Sequence, residues 1–314
     1  MKTILKKVAL AVVSFLMFGG VCGQLTAGKH WVATWATAEQ IAEPHNNPPV
    51  PLEGKSIRQI VQTSISGEKL RVKLSNEFGK EPVEIKAAEI AAALTSGNSF
   101  QIDEPTNTAL TFGGKESITI QPGELVVSDP VQFKTTVRQN MAITLHFGQF
   151  PKDTITSHPG SRTTSYIAEG NTSDFSNAVT TAHWYIINAI EVEAKGNARA
   201  VVILGNSITD GRGSTTDVQN RWTDILSRRL LANKATENVS VLNMGLGGNC
   251  ILQGGLGPTG QTRYPRDLFN QEGVKYIILF EGVNDLGGFG DAVTKADRII
   301  EVYKKIITEA HSKG

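Results

Sequence analysis

Cysteine, charge of one sign and long apolar runs are all scarce in this 314-residue chain, and each shortage excludes something. Two cysteines, Cys22 and Cys250, cannot frame a disulfide scaffold. With 31 Lys+Arg against 30 Asp+Glu, the formal net charge is +1. No basic excess exists to neutralise phosphates, so nucleic acid is not expected as a partner. The single long apolar run, residues 8–20, is shorter than the roughly 20 residues a membrane span needs. Repeats and low-complexity tracts are absent. Asp210 and Asp285 have no His or Cys at ligand spacing, so neither a metal nor a cofactor is expected. What remains is 40% apolar and 19% charged, the balance of a globular chain rather than a collagen, a coiled coil or a disordered segment. At roughly 150 residues per domain, the length suggests two domains.

The first residues read as a leader. Lys2, Lys6 and Lys7 precede the apolar run, and Val21, Cys22 and Gly23 are small exit residues. That order is a secretory signal peptide over residues 1–23, implying a secreted or periplasmic protein. A lipid anchor on Cys22 fits the preceding Gly19-Gly20-Val21 less well. Removal of the leader leaves Cys250 alone, expected as a small buried apolar residue.

Two textures follow. From residue 24 to 193 short apolar stretches alternate with polar positions, as Leu70, Val72 and Leu74 do in KLRVKLS. Met141, Ile143, Leu145 and Phe147 repeat the pattern. Period-two alternation between turn residues predicts half-buried strands of a β-sandwich or jelly roll. Residues 39–54 and 151–160, rich in Pro, Asn and Gly, read as loops. Trp31, Trp35 and Trp184 are expected in core packing rather than as sugar platforms.

From residue 194 to 314 the pattern changes. Residues 198–204 (ARAVVIL) form a nearly unbroken apolar run, the mark of a parallel strand covered on both faces. Residues 222–233 carry apolar side chains at helical spacing, 239–244 and 276–281 are further strands, and 292–313 is a long helix. This succession predicts a doubly wound, flavodoxin-like α/β domain.

The chemistry falls at the carboxyl ends of its strands, where open parallel sheets bind ligands. Gly205-Asn206-Ser207-Ile208-Thr209-Asp210-Gly211 follows the first strand, Asn243-Met244-Gly245-Leu246-Gly247-Gly248-Asn249 the second, and Gly282-Val283-Asn284-Asp285 the third. With strand order 2-1-3, Ser207 lies between the loops carrying Gly248 and Asn284. A serine hydroxyl, a glycine N–H and an asparagine amide suit nucleophilic acyl transfer with an oxyanion hole. Ser207 alone would read as a helix cap; three blocks in order read as a site. Gly245, Gly247 and Gly248 do not form a dinucleotide fingerprint, because Cys250 stands where its last glycine belongs.

These blocks resemble the GDSL-type esterases of the SGNH hydrolase superfamily. The resemblance implies that Ser207 is the nucleophile and that Gly248 and Asn284 complete the oxyanion hole. It continues through STTDVQNRWTDIL and LFEGVND, and into WVATWATA, LRVKLSNEFG and ALTFGG, which resemble a secreted bacterial subgroup with a β-domain before the hydrolase domain. Those relatives are arylesterases or acylhydrolases, some associated with xylan degradation, so the implied substrate is a small ester or acylated carbohydrate. Two departures stand out. Asn206 replaces the usual aspartate of the first block. The late Asp-x-x-His block that supplies the family's base is missing, and none of His30, His45, His146, His158, His183 and His311 replaces it. His183 merits attention only if residues 185–193 form a hairpin with 198–204, bringing it towards Ser207. The expectation is therefore an incomplete SGNH domain, truncated before its catalytic His and nearly inactive as it stands. The rival reading is a non-catalytic carbohydrate-binding protein with a vestigial hydrolase domain.

Overall fold

Leu70, Val72 and Leu74, the inward positions of KLRVKLS, are fully buried, and the same holds for Met141, Ile143 and Leu145. A computed structural model describes residues 28–194, 196–288 and 290–314. The proposed leader and Cys22 lie outside these residues. In chain order the strands of the first region are β1 (His30–Ala36), β2 (Gln40–Ile41), β3 (Ser56–Gln62), β4 (Lys69–Ser75), β5 (Val83–Ala92), β6 (Thr108–Leu110), β7 (Ile118–Ile120) and β8 (Leu125–Val127). They continue with β9 (Val131–Gln132), β10 (Asn140–Phe147), β11 (Thr156–His158), β12 (Ser165–Ala168), β13 (Val179–Thr181), β14 (Trp184–Tyr185) and β15 (Ile187–Ala194).

All the pairings among these strands are antiparallel. One sheet runs β1-β15-β4-β8, with β9 also on β4. A second runs β13-β12-β3-β10-β5-β6, with β7 also on β5. In a short third sheet, β14-β11-β2, the strands β2 and β11 lie within the two segments expected to be loops. Thr156 and Ser157 pair with Ile41 and Gln40 there. Strands this short carry almost no periodic signal, which is why composition pointed the other way. Trp35 and Trp184 pack edge to face at 5.1 Å in the core, as expected for structural aromatics.

The second region holds β16 (Arg199–Gly205), α1 (Ser207–Asp210), α2 (Trp222–Leu231), β17 (Val239–Gly245), α3 (Gly260–Phe269), β18 (Val274–Phe280), α4 (Val283–Gly287) and α5 (Ala292–Ser312). Its parallel sheet has the order β17-β16-β18, the 2-1-3 arrangement that the blocks require. Helix α3 was not legible, because Pro265 sits inside it and proline normally ends a helix pattern. Strand β15 pairs with β1 and β4, not with β16, so the hairpin that would have carried His183 towards Ser207 does not form.

The two regions share their main core. Val32, Ile190 and Ile143 belong to the same apolar cluster as Val202, Leu242 and Ile306. Thr37, just past β1, bridges Asn243 in β17, and Ser64 Oγ donates to the Val241 carbonyl. The α/β sheet is therefore fixed against the antiparallel layer. Its other edge is β18, where Tyr276 and Phe280 are 46% and 43% exposed. Among the described residues no helix is long and apolar enough to cross a membrane.

Candidate functional site

The registers bring the three blocks together. Gly205 of the central strand lies opposite Gly245 on one side and Phe280 on the other. The chain then turns at each strand end. Leu246 N–H donates to the Gly205 carbonyl at 2.9 Å, which closes the first and second blocks on each other. Asn206 spans to the third block by donating from Nδ2 to the Phe280 carbonyl at 3.2 Å.

Asn206 also caps α1, its Oδ1 accepting from Ile208 N–H at 3.0 Å. This local bond starts a four-residue helix that Gly211 ends in the left-handed region at φ 111°. Ser207 is the first residue of that helix and is half-buried. The first residues of a helix keep N–H groups without an intrahelical partner.

Gly248 adopts φ 65°, a left-handed conformation that glycine enters without penalty. Its carbonyl accepts from Leu256 N–H at 3.1 Å. Among the described residues its own N–H has no backbone acceptor. Asn284, in α4, donates from Nδ2 to the Asn249 carbonyl at 2.7 Å, which ties the third block to the residue after Gly248. An amide nitrogen has two hydrogens, so one donor position remains. Asp285 is buried and accepts from Ile251 N–H and Leu252 N–H, both at 2.9 Å. It anchors the second loop rather than forming a simple turn.

Beneath the three blocks lies Arg263 of α3, with a fully buried side chain. It donates to the carbonyls of Gly205 (2.9 Å) and Met244 (2.8 Å), to Asn249 Oδ1 (3.0 Å), to Asp267 (2.7 Å) and to Glu281 (3.2 Å). The guanidinium fork therefore touches the ends of all three strands. Burial pushes Glu281 up to about 7, against the pull of Arg263. Sequence reasoning missed Arg263, because the segment holding it did not read as helical.

The other side of α1 faces the antiparallel region. Asp210 is buried, with His158 Nε2 at 3.0 Å and Arg162 at 3.5 Å. Asp210, which has no histidine at ligand spacing in the sequence, meets one in space: His158 lies 52 positions away on β11. The other ring nitrogen of His158, Nδ1, donates to the Ala38 carbonyl at 2.8 Å. Arg221 completes this contact, donating to the Asp210 and Ser161 carbonyls. His183 instead donates to the Pro159 carbonyl, and burial lowers its pKa. His311 is exposed near the end of α5. Cys250 is buried, as expected of a small apolar residue, and desolvation raises its thiol pKa. Among the described residues no group of three or more His, Cys, Asp or Glu could hold a metal.

Residues 203–314 match the model of the GDSL-like Lipase/Acylhydrolase family. The matched stretch begins within β16 and contains all three blocks and Arg263. An acylhydrolase domain acts on ester substrates. No curated protein matches the chain. The family match does not reach the antiparallel region, so the contacts that Asp210 makes with His158 and Arg162 join the GDSL-like domain to a part of the chain outside it.

Proposed function

We propose that this protein is a secreted serine esterase that cleaves small acyl esters, acetyl above all, from carbohydrate or related alcohols. In this reading Ser207 Oγ attacks the ester carbonyl carbon and passes its proton to a base. The carbonyl oxygen becomes an oxyanion that takes N–H donors from Ser207, Gly248 and Asn284. Collapse of the intermediate breaks the bond to the alcohol, which leaves with a proton, and an acyl–Ser207 ester forms. Water then reverses these steps and releases the acid. The observation that carries the reading is the tie between the three blocks, above all Asn284 Nδ2 on the Asn249 carbonyl at 2.7 Å, one residue from Gly248. Donors held in place before the charge develops are worth about a hundred- to a thousand-fold in rate each. We further propose residues 24–193 as a β-sandwich domain and 194–314 as the hydrolase domain.

Among the described residues no histidine is hydrogen-bonded to Ser207. His158 touches α1 through Asp210, but both its ring nitrogens are engaged. That observation favours the second reading, a carbohydrate-binding protein whose hydrolase half is silent. Chemical rescue separates the two. Added imidazole replaces a missing histidine base, so hydrolysis of p-nitrophenyl acetate above the imidazole background is expected in the parent chain. It is expected to vanish in Ser207→Ala. Equal rates in parent and variant reject the esterase reading.

A further inference from the structure

Beside the turn that carries Gly247 and Gly248, a cleft of about 120 Å3 opens between the two regions. One wall is the GDSL-like domain: Gly247 and Leu256, the latter 50% exposed. The opposite wall comes from the antiparallel region: Gln40, Glu43, Asn46 and Arg162. The volume is far above the roughly 10–15 Å3 that one water needs, and it suits a ring-sized group.

The polar wall is prepared for hydroxyls. Glu43 is held from both sides, accepting from Gln40 Nε2 at 3.0 Å and from Asn46 Nδ2 at 2.5 Å. A carboxylate has about four lone-pair sites, so acceptor capacity remains. Arg162 is fixed at its root: its carbonyl accepts from Asp217 N–H at 3.0 Å, and its backbone is left-handed at φ 50°. A non-glycine residue adopts that conformation only when its surroundings hold it there. The guanidinium meets Asp210 at only 3.5 Å, its Nε is buried without a partner, and the side chain is 34% exposed. Donors remain to be used. With Asp210 also in the lining, two carboxylates stand against the one guanidinium of Arg162, which argues against an anionic guest. Leu256 provides an apolar surface opposite them. A sugar ring has this division, with hydroxyls at its edge and a C–H face.

We infer that this cleft is the alcohol-side subsite, that it holds one sugar unit of the ester, and that Glu43 and Arg162 set the specificity. The inference rests on the esterase reading for its catalytic meaning, and the antiparallel region becomes part of the substrate site rather than a separate module.

The test uses the full chain with imidazole and two substrates: p-nitrophenyl acetate and methyl tri-O-acetyl-β-D-xylopyranoside. The readout is the ratio of kcat/KM for the sugar acetate to kcat/KM for p-nitrophenyl acetate. Glu43→Gln, which keeps side-chain shape, is expected to lower that ratio at least tenfold, chiefly through KM. Arg162→Ala is expected to do the same, and Arg162→Lys to do so partly, because lysine lacks the planar fork. A purely structural role lowers both substrates together and leaves the ratio unmoved, which overturns the inference. Calorimetric titration of the sugar acetate into Ser207→Ala needs no turnover. Glu43→Gln in that background is expected to weaken Kd at least tenfold; an unchanged Kd, or no binding to Ser207→Ala at all, also overturns it. Failure of the esterase reading has a different signature: no Ser207-dependent hydrolysis, with Glu43-dependent sugar binding intact.

Discussion

Replacing Gly245 by alanine tests how α1, the helix that begins at Ser207, is held. A Cβ built on Gly245 lies 2.2 Å from Asp210 N and 2.7 Å from the Thr209 carbonyl carbon, both backbone atoms of α1. Ordinary contact begins near 3.4 Å, so the helix must retreat by about 1.2 Å or the strand end must move. Neither moves freely. Thr209 packs on Gly205, where a built Cβ would lie 2.2 Å from Oγ1, and Asp210 is held by His158 and Arg162. Overpacking of this kind costs about 1–3 kcal/mol, and a displacement of about 1 Å at a reacting group costs about a hundredfold in rate. Gly245→Ala is therefore expected to lower Tm and to reduce Ser207-dependent, imidazole-rescued hydrolysis by about a hundredfold. Gly248→Ala is the comparison. There the built Cβ meets only Leu256 side-chain atoms at 3.0 Å, and the cost is the left-handed backbone, about 1–2 kcal/mol. Parent-like Tm and turnover in Gly245→Ala would refute the nested-helix reasoning.

Three other outcomes follow from the site. Asn206→Asp restores the residue usual in the resembled esterases but removes the donor to the Phe280 carbonyl; urea unfolding is expected to show a loss of about 1–3 kcal/mol, and an unchanged midpoint would rule out that bond. Arg263→Met leaves Glu281 buried without its cation, while Asp267 keeps Arg266, so a loss of about 3–5 kcal/mol is expected by the same assay; a loss below 1 kcal/mol would remove Arg263 as the tie between the strands. For pH, burial raises Glu39 to about 8 and Glu281 to about 7 from 4.5. Between pH 5 and 8 the native state then binds more protons than the unfolded chain, so stability falls as pH rises. Urea midpoints are expected to drop across that window, with a shallower drop in Glu39→Gln; a flat or rising profile contradicts the assignment.

The elements with strong periodicity were legible. Strand β16 is one long apolar run, α2 and α5 have helical spacing, and all three were placed to within a few residues. The glycine-containing blocks were legible at three strand ends, whereas the order 2-1-3 that lets them meet was a condition and not something the residues dictate. What stayed hidden depends on contacts that no local pattern encodes. Helix α3 contains Pro265, and its stability comes from Arg263 bonding to three strand ends rather than from propensity. The pairing of Asp210 with His158 joins residues 52 positions apart. The cleft beside Gly247 is built from segments that read as loops, because their strands are two or three residues long.

The most direct test is mass spectrometry of the chain after brief exposure to p-nitrophenyl acetate and imidazole. The account predicts one acetyl group on the peptide containing Ser207, greatly reduced in Asn284→Ala and absent in Ser207→Ala. Acetylation confined to surface lysines, identical in the parent and both variants, would contradict it.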